Sequence, residues 1–105
     1  MILVYTTCES AEEAKKIGKI LLQKKLCACI NIIPNMESAS LWPPKSGKIE
    51  EANEVVLVVK TLESKYQEVE DEIKKNHSYD MPCIFSIPIL KVSGEYSSWV
   101  NGELK

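Results

Sequence analysis

The chain has 105 residues, with 13 Lys and no Arg against 15 acids, and a formal net charge of -2. That length supports one domain that buries roughly two-thirds of its unfolded surface without disulfides or a structural metal. An apolar share of 45% excludes disorder, and the missing Arg argues against a nucleic-acid binder that clamps phosphates.

Ile2–Thr7 is a β-rich run and predicts a first strand. It carries no basic leader and no small-residue cleavage site, so the chain is expected to stay in the cytoplasm with its four Cys reduced. Ser10 and Glu13 form a capping box, with the carboxylate reaching back to the Ser10 amide. Behind it Ala11, Ala14, Ile17, Gly18, Leu21 and Leu22 recur at helical spacing, predicting a helix that ends near Lys25. Cys27–Ile33 reads as a second strand. Pro34 and Asn35 allow a bend or a bulge, after which Ser38–Trp42 can resume the extended chain.

Pro43–Gly47 is the clearest turn, and Lys48–Glu54 leads into Val55–Val59, the strongest strand. Thr61 or Ser64 caps a second helix with Leu62, Tyr66, Val69 and Ile73 on one stripe. Cys83–Leu90 is a fourth strand whose Pro88 suggests an edge or a bulge. Ser93–Val100 fits a short closing helix burying Tyr96, Trp99 and Val100. The order β-α-β-β-α-β predicts an α+β, ferredoxin-like split βαβ domain over residues 1–105, with an antiparallel sheet and both long helices on one face.

A sheet with one wet face alternates apolar and polar residues, and Val55–Val59 do not alternate. Both faces are therefore expected to be dry. One short helix cannot cover four strands, so a closed homo-oligomer is expected. No apolar run approaches the ~20 residues a bilayer span needs, so no membrane partner is expected.

Cys27 and Cys29 on one strand would face the same side, roughly 6–7 Å apart, and suit packing better than zinc, which takes wider spacings on turns. The predicted fold brings the end of the first strand to the start of the last, placing Cys8, Cys83, Met81 and His77 toward one end of the sheet. Thiolate, thioether and imidazole donors suit a soft or borderline cation such as copper. The competing reading is ordinary strand-end packing, with His77 at a helix C-terminus. A cysteine nucleophile needs a base and an orienting group, and a single His gives little support for an enzyme. Four scattered Gly make no phosphate-cradling loop, and Glu50, Glu51 and Glu54 read as a solvated edge.

Four segments carry a family resemblance: Lys25–Pro34, Gly47–Glu51, His77–Pro82 and Tyr96–Trp99. In this order they resemble the CutA family of divalent-cation tolerance proteins over nearly the whole chain. The resemblance implies a small cytoplasmic homotrimer of ferredoxin-like subunits that is not an enzyme, needs no cofactor, and responds to divalent metal ions, with copper as a candidate. His77, Tyr79 and Pro82 match the family's His-x-Tyr-x-x-Pro segment, which makes His77 the best-matched metal ligand, with Cys8 and Cys83 beside it. Some members carry Cys where this chain has Thr6. The family's usual Trp-Glu-Gly-Lys turn is lengthened here to Trp42–Lys48. The fold and trimer also resemble the PII-type signalling proteins, so the alternative expectation is a signalling or interaction trimer holding a small ligand in inter-subunit clefts.

Overall fold

The computed structural model describes residues 1–104. Its elements run β1 (Ile2–Cys8), α1 (Ala11–Gln23), β2 (Cys29–Leu41), β3 (Ile49–Thr61), a 3-10 turn (Glu63–Lys65), α2 (Tyr66–Asn76), β4 (Ile84–Pro88) and α3 (Gly94–Leu104). The strands form one antiparallel sheet in the order β2-β3-β1-β4. This is the expected ferredoxin-like α+β architecture.

The core forms where strand alternation meets the helical stripes. Ile2, Val4, Thr6 and Cys8 point to one face of β1, opposite Thr61, Val59, Leu57 and Val55 of β3. Against them pack Ala14, Ile17 and Leu21 of α1 and Val69 and Ile73 of α2, all fully buried. α1 stops where Lys25 takes a left-handed conformation (φ 54°). The Leu26 amide then donates to the Leu21 carbonyl at 2.9 Å and the Lys25 amide to that of Leu22 at 3.0 Å, a Schellman closure.

That closure delays the second strand. It begins at Cys29, so Cys27 lies before it, buried, and the two thiols are not a same-face pair on a strand. The Cys29 thiol is half-buried and donates to the Ile30 carbonyl at 3.6 Å. β2 then runs straight through Pro34 and Asn35. Its register passes from Ile33 opposite Val56 to Met36 opposite Glu54, a one-residue bulge with Asn35 at φ 59°. Because β2 is an edge strand, Pro34 need not donate to a ladder there. The result is a 13-residue strand pairing with a 13-residue β3, which starts at Ile49. Their outer halves project as an arm from a molecule measuring 46 × 26 × 23 Å.

Neither Thr61 nor Ser64 caps α2. Thr61 ends β3 and donates its hydroxyl to the Leu26 carbonyl at 2.6 Å, and a 3-10 turn carries the chain through Ser64 before the helix starts at Tyr66. Leu62 thus lies ahead of the helical stripe. β4 is shorter than expected, because Cys83 precedes it and Pro88 ends it. α3 is longer than expected: the Tyr96 amide donates to Ser93 Oγ at 3.4 Å, and the helix runs to Leu104. It buries Val100 and Leu104, while Trp99 stays 45% exposed.

The second face of the sheet carries Leu3, Tyr5, Ile33, Val56, Val58, Phe85 and Ile87. Lys60, on this face, holds its ammonium 5.6 Å from the Tyr96 ring centroid, which sets α3 beside that edge. Tyr5 and Phe85 stack at 4.8 Å. Ile33, Phe85 and Ile87 stay exposed, an apolar surface that α3 does not reach.

Candidate metal centre

β1 ends at Cys8, and the chain turns through Glu9 into α1. Ser10 caps that helix as expected, accepting from the Glu13 amide at 3.2 Å. The Glu13 carboxylate reaches back one residue further than the expected box, to the Glu9 amide at 3.1 Å. Its other oxygen accepts from the Ser78 amide at 2.9 Å. One side chain therefore ties the start of α1 to the segment that leaves α2.

His77 is the first residue of that segment. Its Nε2 lies 2.8 Å from the Thr7 carbonyl, and the Tyr79 amide donates to Nδ1 at 3.1 Å. A carbonyl only accepts and an amide N–H only donates, so the proton sits on Nε2 and the ring is the neutral tautomer. Tyr79 packs its ring 4.8 Å from the imidazole and donates its hydroxyl to Glu54 at 3.1 Å.

One donor atom each from Cys8, Glu13 and His77 converge here within 4.8 Å of one another. The Cys8 thiol is fully buried and pushed up to about 12, by burial first and then by Glu13 and Glu54. Burial would also raise Glu13, but hydrogen bonds from Ser78 and Glu9 overturn that and hold its carboxyl below the usual range. Tyr79 is pushed up to about 12 by burial and by its bond to Glu54. Thr6 shares the inner face of β1 with Cys8, fully buried, and its hydroxyl has no partner among the described residues. A thiol, a carboxylate and an imidazole from three segments suit a borderline cation such as copper or zinc.

Of the expected ligands, Cys8 and His77 come together and Cys83 does not join them. It sits just before β4, exposed, with its thiol raised by partial burial and by Glu54. Met81 is exposed as well. Glu13 takes the third place. Its sequence signal was the capping box, which explains the carboxylate locally and gives no hint of Ser78, 65 residues away.

A ferredoxin-like α+β domain with an uncovered apolar sheet face and a corner of mixed sulfur, nitrogen and oxygen donors defines the class. The chain belongs to the CutA1 divalent ion tolerance protein family, whose pattern matches residues 2–103. It is 47% identical over 98 residues to the divalent-cation tolerance protein CutA of Archaeoglobus fulgidus, covering 93% of this chain and 92% of that one. The Pyrococcus horikoshii CutA is 40% identical over 105 residues, covering 100% and 99%. The chloroplastic CutA of Arabidopsis thaliana is 34% identical and longer, and this chain spans 56% of it. Among solved structures, the periplasmic divalent cation tolerance protein CutA from Archaeoglobus fulgidus superposes with a TM-score of 0.93 at 44% identity, with 100% of both chains covered. No helix among the described residues is long and apolar enough to cross a membrane.

Proposed function

We propose that the protein acts in tolerance of divalent cations as a cytoplasmic, non-enzymatic homotrimer that takes up a borderline cation such as copper at the Cys8–Glu13–His77 corner. The convergence of those three donors within 4.8 Å carries the cation assignment. A bound cation would also reverse the electrostatics that keep the Cys8 thiol protonated.

Both His77 nitrogens are engaged, so a cation at Nδ1 takes the place of the Tyr79 amide, and the turn at residues 77–79 must give way. The uncovered apolar strip of Ile33, Phe85 and Ile87 supports assembly. Four unpaired cysteines fit a reducing compartment. Copper titration by calorimetry tests the site: His77→Ala and Glu13→Gln should each weaken binding about tenfold or more. Unchanged affinity in both removes this corner as the site.

A further inference from the structure

Two of the three donors at the metal corner are covered by one short segment. The Ser78 amide sits on a Glu13 oxygen at 2.9 Å, and the next amide, that of Tyr79, sits on His77 Nδ1 at 3.1 Å. The other ring nitrogen is arranged as in a ligating histidine. Nε2 gives its proton to the Thr7 carbonyl at 2.8 Å and leaves the lone pair on Nδ1. A cation takes that lone pair, which displaces the Tyr79 amide and loosens its neighbour on Glu13.

The segment is fastened on the other side of the sheet. Glu54 shares the register parity of Val56 and Val58 and belongs to the second face, whereas Cys8 belongs to the first. Tyr79 links the two sides: its ring lies 4.8 Å from the imidazole, and its hydroxyl donates to Glu54 at 3.1 Å. A phenol on a carboxylate is a charge-assisted hydrogen bond, roughly twice as strong as a neutral one. By contrast, the Ser78 hydroxyl makes a long contact with Glu9 at 3.5 Å, and Asp80 and Met81 beyond it are exposed.

We propose that Ser78 and Tyr79 form a lid on the cation corner, latched by the Tyr79 hydroxyl on Glu54, and that the latch and a bound cation oppose one another. The inference rests on the Cys8–Glu13–His77 reading and adds what governs access to that corner. Tyr79 is a positioning residue: closed, it fixes the ring tautomer and blocks Nδ1. A chain that must open before it binds has its affinity lowered by the fraction that is open, and a weaker latch raises that fraction. Loss of the latch therefore tightens binding, the opposite of what lost scaffolding does.

Calorimetric copper titration of the full chain tests the lid, with His77→Ala as the control for the corner. Tyr79→Phe keeps the ring and drops the hydroxyl, and should bind about fivefold tighter or more. In a Glu54→Ala background the same change should alter affinity no further, since the two residues act through one bond. The amide at position 79, followed by NMR hydrogen exchange without cation, should exchange faster in Tyr79→Phe than in the parent. Unchanged or weaker binding by Tyr79→Phe, while His77→Ala still weakens it, overturns the latch and leaves the corner standing. Parent-like affinity in His77→Ala overturns the corner and the lid with it.

Discussion

The inner and outer halves of the β2–β3 hairpin share one hydrogen-bonded ladder and almost nothing else. Inside, Ile30, Ile32, Leu57 and Val59 lie under the helices and belong to the core. Outside, Glu37 opposes Asn53, Ala39 opposes Glu51, and Leu41 opposes Ile49, all exposed. The backbone geometry is the same, so the difference teaches that strand length and core size are set separately here. The inner rungs stabilise the monomer, and the outer rungs are free to meet something else.

The sharpest way to break that comparison is to truncate one residue in each half. Leu57→Ala removes a fully buried side chain and should lower unfolding free energy by about 2–5 kcal/mol in urea titrations. Leu41→Ala should move the unfolding free energy of the single chain by less than about 0.5 kcal/mol. Equal effects would mean that the two halves are energetically one.

Gly18 tests how tightly the inner half is packed. A methyl group there would meet the end of the Ile30 side chain, so Gly18→Ala should cost about 1–3 kcal/mol of overpacking, offset by about 1 kcal/mol of helix propensity. Ile30→Val removes the colliding atom and should recover the loss. Thr6→Val replaces the orphaned hydroxyl with a methyl and should stabilise the cation-free chain by about 1 kcal/mol.

The last effect appears only at high pH. Cys8 and Cys27, each near 9.0 when unfolded, are pushed up to about 12 by burial. Between those values the unfolded chain has lost protons that the folded chain keeps, so stability falls as pH rises from 9 to 12. Melting temperature against pH should show that decline, and Cys8→Ala should blunt it. Iodoacetamide should label Cys83 well before Cys8.

Most elements were legible because their signals are local: a capping box, a helical stripe, an unbroken β-branched run. Several departures came from partners distant in sequence, while the late start of β2 came from the local closure at Lys25 and Leu26. Thr61 looked like a cap, but the Leu26 carbonyl, 35 residues away, claims its hydroxyl. Pro34 looked like a possible stop, and only its edge position makes it harmless. At the metal corner, strand order did place Cys8 near His77. The third donor was missed because Glu13 already had a local role, and Cys83 stands apart from the group because the register sets Ile84 opposite Thr6, giving Cys83 the opposite parity to the Thr6 and Cys8 face. Glu54 read as solvated edge, yet it is half-buried and receives the Tyr79 hydroxyl.

The bulge at Pro34 and Asn35 has a consequence for the arm. One extra residue shifts the parity of β2, so odd-numbered side chains beyond it share the side that even-numbered ones hold before it. Deleting Asn35 would give an unbroken ladder, with Pro34 opposite Val55 and Leu41 still opposite Ile49, so the bulge takes up one residue without turning the outer rungs over. The strand is thus written in two reading frames. One spells the chain's own interior, the other its exposed arm, and Asn35 is the residue at which the frame changes.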